Sequence, residues 1–159
     1  MKSALIRSAI AVAALLAAAP AVQAHHSFSM FDRDTQQVIT GTVARWAFNN
    51  PHSWLYINVK NADGSDTLWS FEGASPTQLI GRGITGNTVK PGDTVTMMYC
   101  PLADKRPGGA IGWIKIPDGT FLNPADGGCR TDDAGIARWK EWLDKGFKSN
   151  KEAQGQASN

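Results

Sequence analysis

From Val38 to Trp46 the chain reads Val-Ile-Thr-Gly-Thr-Val-Ala-Arg-Trp, a run rich in β-branched residues that predicts a strand. Gly41 in its middle predicts a bend or bulge, as a sheet curling toward a barrel needs. Asn49-Asn50-Pro51 breaks the run, and Trp54 to Val59 follows as a second strand, apolar on both faces at first and alternating toward its end. Asn61-Ala62-Asp63-Gly64 has the residues of a tight turn, so Thr67 to Glu72 should return antiparallel to it. Ser75-Pro76-Thr77-Gln78 then offers a capping hydroxyl and a proline at the first helical position, and Gly81 and Gly83 stop that helix within two turns. Lys90-Pro91-Gly92-Asp93 is a turn before a fourth strand, Thr94 to Tyr99. A long loop, Pro101 to Gly109, precedes a fifth strand, Ala110 to Ile116, which Pro117-Asp118-Gly119 folds back into Thr120 to Leu122.

Three strands, a short helix and two or three more strands give a mainly β fold. The order predicts a small five- to six-stranded OB-like barrel with one short helix between strands 3 and 4; a twisted sandwich is the alternative. The pattern changes after Ala125. Ile136, Trp139, Lys140 and Leu143 recur at helical spacing, Trp142 flanks them, and Asp132-Asp133 suit a helix start, which predicts a C-terminal amphipathic helix docked near Cys129. Residues 148 to 159 are polar and read as a disordered tail.

Residues 1 to 24 have another logic. Lys2 and Arg7 precede an apolar stretch from Ser8 to Ala19, and Val22-Gln23-Ala24 is a small-residue cleavage site, the anatomy of a secretory signal peptide. The stretch is shorter than the roughly 20 residues that span a bilayer. Its removal predicts a periplasmic or secreted protein with no stable membrane insertion, and a single domain over residues 25 to 147. It also changes the charge: the net +2 comes from Lys2 and Arg7, so the chain from His25 carries 14 basic and 14 acidic residues. That neutrality, without a basic run, excludes a nucleic-acid partner. Cys100 and Cys129 are the only two cysteines, and in an oxidising compartment the pair reads as a disulfide.

The candidate chemistry is sparse. There are three histidines, and cleavage after Ala24 would place His25 and His26 at the mature terminus. A terminal histidine can chelate through its amine and ring nitrogen, and His52, after the Asn49-Asn50-Pro51 break, is the remaining imidazole able to complete a three-nitrogen set. Amine and imidazole nitrogens in a planar arrangement favour copper, as Cu(II). His26 competes for the same amine through its own chelate. Glu72, at a strand end beside a loop, is the best-placed further metal ligand, ahead of Asp32 and the sulfurs of Met30, Met97 and Met98. Against this stands a plain reading, a solvated His-His terminus and a His52 that hydrogen-bonds a neighbouring strand. Asp63, Asp93 and Asp118 sit in turn sequences that account for them. The six tryptophans read as bulky core, or as an aromatic platform for a flat ligand. No nucleophile elbow, phosphate loop or dinucleotide fingerprint supports an enzyme.

The string His25-His26-Ser27-Phe28 with Phe31-Asp32, Gly41-Thr42-Val43, Asn50-Pro51-His52-Ser53, Trp69 with Glu72, Ser75-Pro76 and Lys90-Pro91-Gly92-Asp93 resembles a family of small exported bacterial proteins known as a domain of unknown function. The resemblance runs from about His25 to Leu122 and implies export, one small β-rich domain and no established activity. Its His-His start and Asn-Pro-His segment correspond to His25, His26 and His52. Two functions are therefore expected: a periplasmic copper-binding protein using His25, His26, His52 and Glu72, or an OB-type ligand- or protein-binding module whose histidines are structural. An oxidative copper enzyme would further require an open coordination position and a flat substrate face.

Overall fold

The computed structural model of the chain describes residues 28–156, so His25, His26 and the expected signal peptide lie outside the described residues. A 3-10 turn, Phe28–Met30, leads into β1 (Gln37–Ala47), β2 (Ser53–Lys60) and β3 (Asp66–Gly73), an antiparallel meander. Helix α1 (Pro76–Gly81) is capped by Ser75, whose hydroxyl accepts from the Gln78 amide, with Pro76 at its start. The chain then returns as β4 (Thr94–Pro101) beside β1, β5 (Gly108–Lys115) beside β4, and the two-residue β6 (Phe121–Leu122) outside β5. β5 also pairs in parallel with β3, Ser70 to Glu72 facing Gly108 to Ala110, and this closes a five-stranded barrel with β6 as an outside strand. The OB-like expectation is met, with the helix after β3. The sandwich is excluded because one sheet closes on itself.

On both sides of β5 the neighbouring strand comes so close that side chains would collide. A Cβ on Gly109 would stand 2.2 Å from the Cys100 carbonyl oxygen, and one on Gly108 2.3 Å from that of Ser70. The barrel interior holds Val43, Leu55, Ile57, Phe71, Val95, Met97, Tyr99, Ile111 and Ile114. A second cluster lies on the outer wall of β4 and β5, where Met98, Cys100, Ala110 and Trp113 meet Cys129, Ile136 and Trp139. Two irregularities in register set which residues face which way. In β5, Met98 pairs with Trp113 and Tyr99 with Ile111, so Gly112 is the extra residue of a bulge. The phase shift turns Trp113 outward and Ile114 inward. In β1 the extra residue is Ala44, between Val43 and Arg45, not Gly41 as expected. Gly41 serves close approach, since a Cβ there would lie 2.7 Å from the Asn58 carbonyl oxygen of β2.

The C-terminal segment covers that outer cluster. Helix α2 (Asp133–Asp144) is capped by Asp132, whose side chain accepts from the Gly135 amide, and buries Ile136 and Trp139. Trp139 packs edge-on against Trp113 and Trp142, and its Nε1 donates to Gln36 Oε1 at 3.1 Å. Cys100 and Cys129 form the expected disulfide, with 29 residues of separation. A loop of that size restricts the unfolded chain by about 3 kcal/mol. Trp46, Trp113 and Trp139 are buried, as the core reading of the tryptophans expects.

The tail expected to be disordered from residue 148 is instead ordered through residue 156. Helix α3 (Asn150–Gln156) buries Ala153, and Asn150 bonds back to the start of β1: its amide donates to the Asp34 carbonyl at 2.9 Å and its Oδ1 accepts from Gln36 N at 3.0 Å. A polar segment with no apolar stripe gives no sign of this docking, because a side-chain amide reading a distant backbone holds it.

The close approach of β4 and β5 at a glycine yields a direct prediction. Gly109→Ala should lose about 2 kcal/mol or more in thermal unfolding followed by circular dichroism, because backbone must move to admit the methyl group. Gly81→Ala, with nothing within 4 Å of the new Cβ, should stay within about 0.5 kcal/mol of the parent protein.

Candidate metal centre

Three backbone segments meet outside the barrel wall, and each carries one polar side chain of the same cluster. His52 immediately precedes β2, Glu72 lies near the end of β3, and Asp126 belongs to the loop between β6 and α2. Phe71 points into the barrel, so the strand alternation turns Glu72 outward, beneath the loop that the disulfide holds down. Short hydrogen bonds tie the three segments together. Ser53, wholly buried, donates to the Ala74 carbonyl through both its amide (3.1 Å) and its hydroxyl (2.8 Å), and the Ala74 amide donates to the Pro124 carbonyl at 2.8 Å. Arg82 Nη1 reinforces the loop, donating to the carbonyls of Asn123 (3.0 Å) and Ala125 (2.7 Å).

The result is a compact donor set. His52 Nδ1 lies 3.0 Å from Glu72 Oε1 and 3.2 Å from Asp126 Oδ2, with side-chain exposures of 17%, 12% and 5% for His52, Glu72 and Asp126. One ligand atom from each residue falls within 4.8 Å of the others. Asp126 divides its carboxylate: Oδ1 accepts from the Gly128 amide at 2.8 Å, which fixes the side chain and aims Oδ2 at His52. Burial pushes the Glu72 carboxyl above its usual range. The His52 charge opposes this, and Asp126, through its charge and a shared hydrogen bond, adds to it. Among the described residues no Lys or Arg comes within ion-pair distance of either carboxylate.

Of the expected ligands, His52 and Glu72 are thus brought together, while His25 and His26 lie outside the described residues. The weaker candidates fall elsewhere. Met97 and Met98 are fully buried, in the barrel interior and on its outer wall, and Met98 Sδ sits 3.6 Å from Cys129 Sγ. Asp32 is engaged by Thr35, which holds its carboxyl below the usual range. Asp63 and Asp118 cap their own turns, as expected. Asp126 is the residue that sequence reasoning missed. Asp126-Gly127-Gly128 reads as one more turn acid, and its Oδ1 does make that turn bond; nothing local tells that the second oxygen faces an imidazole 74 positions away.

A family model described as Family of unknown function (DUF6152) matches residues 12–111. The chain belongs to that family. The DUF6152 match includes His52 and Glu72 and ends before Asp126, the disulfide partner Cys129 and the C-terminal helices. No curated protein and no solved structure matches the chain.

The strut that carries His52 can be tested alone. Ser53→Ala removes a buried donor and leaves the Ala74 carbonyl one partner short, so it should cost about 1–2 kcal/mol in chemical denaturation. Ser65→Ala, in an exposed turn, should change stability by no more than about 0.5 kcal/mol.

Proposed function

We propose that this is an exported metal-binding protein whose site joins His52, Glu72 and Asp126 to the mature N-terminal histidine, and that the metal is copper(II). The observation that carries the reading is the convergence of two largely buried carboxylates on one imidazole nitrogen, with no Lys or Arg paired to them among the described residues. With both carboxylates ionised the cluster keeps a net negative charge even beside a protonated imidazole, and burying unbalanced charge is costly. A divalent cation balances it. The separations suit one, because ligands at right angles on bonds of about 2.0–2.2 Å stand about 3 Å apart.

The missing nitrogens come from the chain start. The ring of Phe28 lies against Gly127, the neighbour of Asp126: a Cβ on Gly127 would be 3.4 Å from Phe28 Cζ. Arg33 reinforces the contact, its guanidinium 5.4 Å from the Phe28 ring centroid and its Nη2 donating to the Gly127 carbonyl at 3.1 Å. Three residues extend at most about 10 Å, so after cleavage at Ala24 the proposed His25 ligand would begin within that distance of Phe28. Amine and imidazole nitrogens with carboxylate oxygens in a tetragonal set favour Cu(II). His26 competes for the same amine. Export is supported by the leader pattern of residues 1 to 24 and by the disulfide; among the described residues no helix is long and apolar enough to cross a membrane.

The full chain should be expressed with its own leader, the mass of the recovered protein measured, and Cu(II) titrated with paramagnetic resonance as the readout. The expected protein starts at His25 and binds one Cu(II) with nitrogen hyperfine structure. His52→Asn, Glu72→Gln and an Ala inserted before His25 should each weaken binding by about tenfold or more. Copper affinity indifferent to all three changes overturns the reading. In that case the Nδ1–carboxylate contacts act as ordinary hydrogen bonds, and the OB-type module with structural histidines takes its place.

A further inference from the structure

The tryptophans divide by what their rings meet. Trp46 and Trp69 belong to the barrel interior, and Trp113, Trp139 and Trp142 to the cluster on the outer wall. Trp54 belongs to neither. Leu55 and Ile57 point into the barrel, so the alternation of β2 turns Trp54 and Tyr56 to the outer face of the β1–β2–β3 meander, where both are partly exposed. Among the described residues the Trp54 ring meets no other ring and no cation, and its Nε1, which is not buried, makes no hydrogen bond. Arg45 stands opposite Tyr56 and lays its guanidinium 4.7 Å from that ring's centroid, which orders a fork of N–H donors beside Trp54. From β3, Ser70 faces Tyr56, and Leu68, 55% exposed, faces Asn58. Charge on this face is nearly balanced. Lys60 pairs with Asp66 at 3.2 Å and Glu72 faces His52, so Arg45 is the one charged side chain of β1 to β3 outside an ion pair among the described residues.

We propose that Trp54 and the Arg45–Tyr56 pair bind a neutral glycan, a chain of pyranose rings with equatorial hydroxyls. Such a ring is apolar on its faces, where C–H bonds project, and polar around its rim. Its face stacks on the indole of Trp54, and its rim accepts hydrogen bonds from the Arg45 fork and the Tyr56 hydroxyl. Successive outward positions on a strand stand about 6.5 Å apart. A chain lying along β2 therefore meets Trp54, then Tyr56 with Arg45, then Asn58 with Leu68. One arginine selects poorly for a polyanion, since nucleic acids and anionic bilayers are held through several basic contacts. A single exposed leucine likewise offers little aliphatic surface to a membrane. The site does not rest on the metal reading, although Trp54 pairs across the strands with Glu72.

The test uses the full exported chain passed over a metal-chelating resin, titrated by calorimetry with cellohexaose and chitohexaose, and with hexagalacturonate and an oligothymidylate as anionic probes. A neutral oligosaccharide should bind at one site per chain with a Kd below about 1 mM, and both anionic probes about tenfold more weakly or not at all. Trp54→Ala should weaken binding by about tenfold and Arg45→Gln by about threefold, both with a thermal midpoint near that of the parent. Ile80→Ser, at a 59% exposed position of α1, should leave the affinity unchanged. Absence of binding by both neutral oligosaccharides, or an anionic probe that binds as tightly as they do, overturns the proposal, and these readouts need no variant. So does an affinity that Trp54→Ala or Arg45→Gln leaves untouched. Because the protein is metal-free, failure here leaves the copper reading standing, and loss of copper binding leaves this one standing.

Discussion

Everything distinctive in this molecule depends on the parallel contact between β3 and β5. A meander of β1 to β3 and a returning β4–β5 hairpin would otherwise form an open sheet with two unprotected edges, and pairing Ser70–Glu72 with Gly108–Ala110 removes both. The backbone approach is so close that it admits no side chain at Gly108. Gly108 is thus a consequence of closure, whereas Gly109 answers the close approach of β4. The same contact sets Glu72 opposite Ala110, one residue from the Gly109–Pro101 pair and adjacent to Cys100, so the acid lies where the disulfide draws the C-terminal segment over the wall.

From that wall outward the architecture is layered. Interior side chains make the barrel stable in the ordinary way, through burial of apolar area, whereas the outer cluster exists because a bulge at Gly112 turns Trp113 toward Trp139. The disulfide and helix α2 then hold the 123–132 loop against the barrel, and the Ser53–Ala74–Pro124 hydrogen bonds register that loop on the strands. The polar cluster is thereby built on rigid elements from three directions. Its polar atoms occupy one small volume because the backbones behind them are bonded to each other.

The tie between fold and chemistry also explains the division of labour along the chain. His52 and Glu72 fall in the part shared with the DUF6152 family, and Asp126 in the part beyond it. The C-terminal segment contributes the second carboxylate of the cluster, Asp126. Burial is what raises the Glu72 carboxyl, with the Asp126 charge adding to it.

Much of this was legible residue by residue. β-branched runs, turn sequences and the Ser75-Pro76 cap determine the strands and the short helix, because each depends on neighbours in the chain; their order then limits the closed forms available. The pairing of Cys100 with Cys129 follows from there being two cysteines in the chain. His52 and Glu72 were open to suspicion because both stand at strand ends beside loops. What only the tertiary structure decided are features that depend on distant backbone: the bulge at Ala44 rather than Gly41, set by the register against β2; the helix at Asn150–Gln156, held by Asn150 reading the backbone of Asp34 and Gln36; and the second oxygen of Asp126. A turn aspartate looks the same in sequence whether its free oxygen meets water or an imidazole, since closure of the barrel and the covering loop, not the residues beside it, determine what lies 3 Å away.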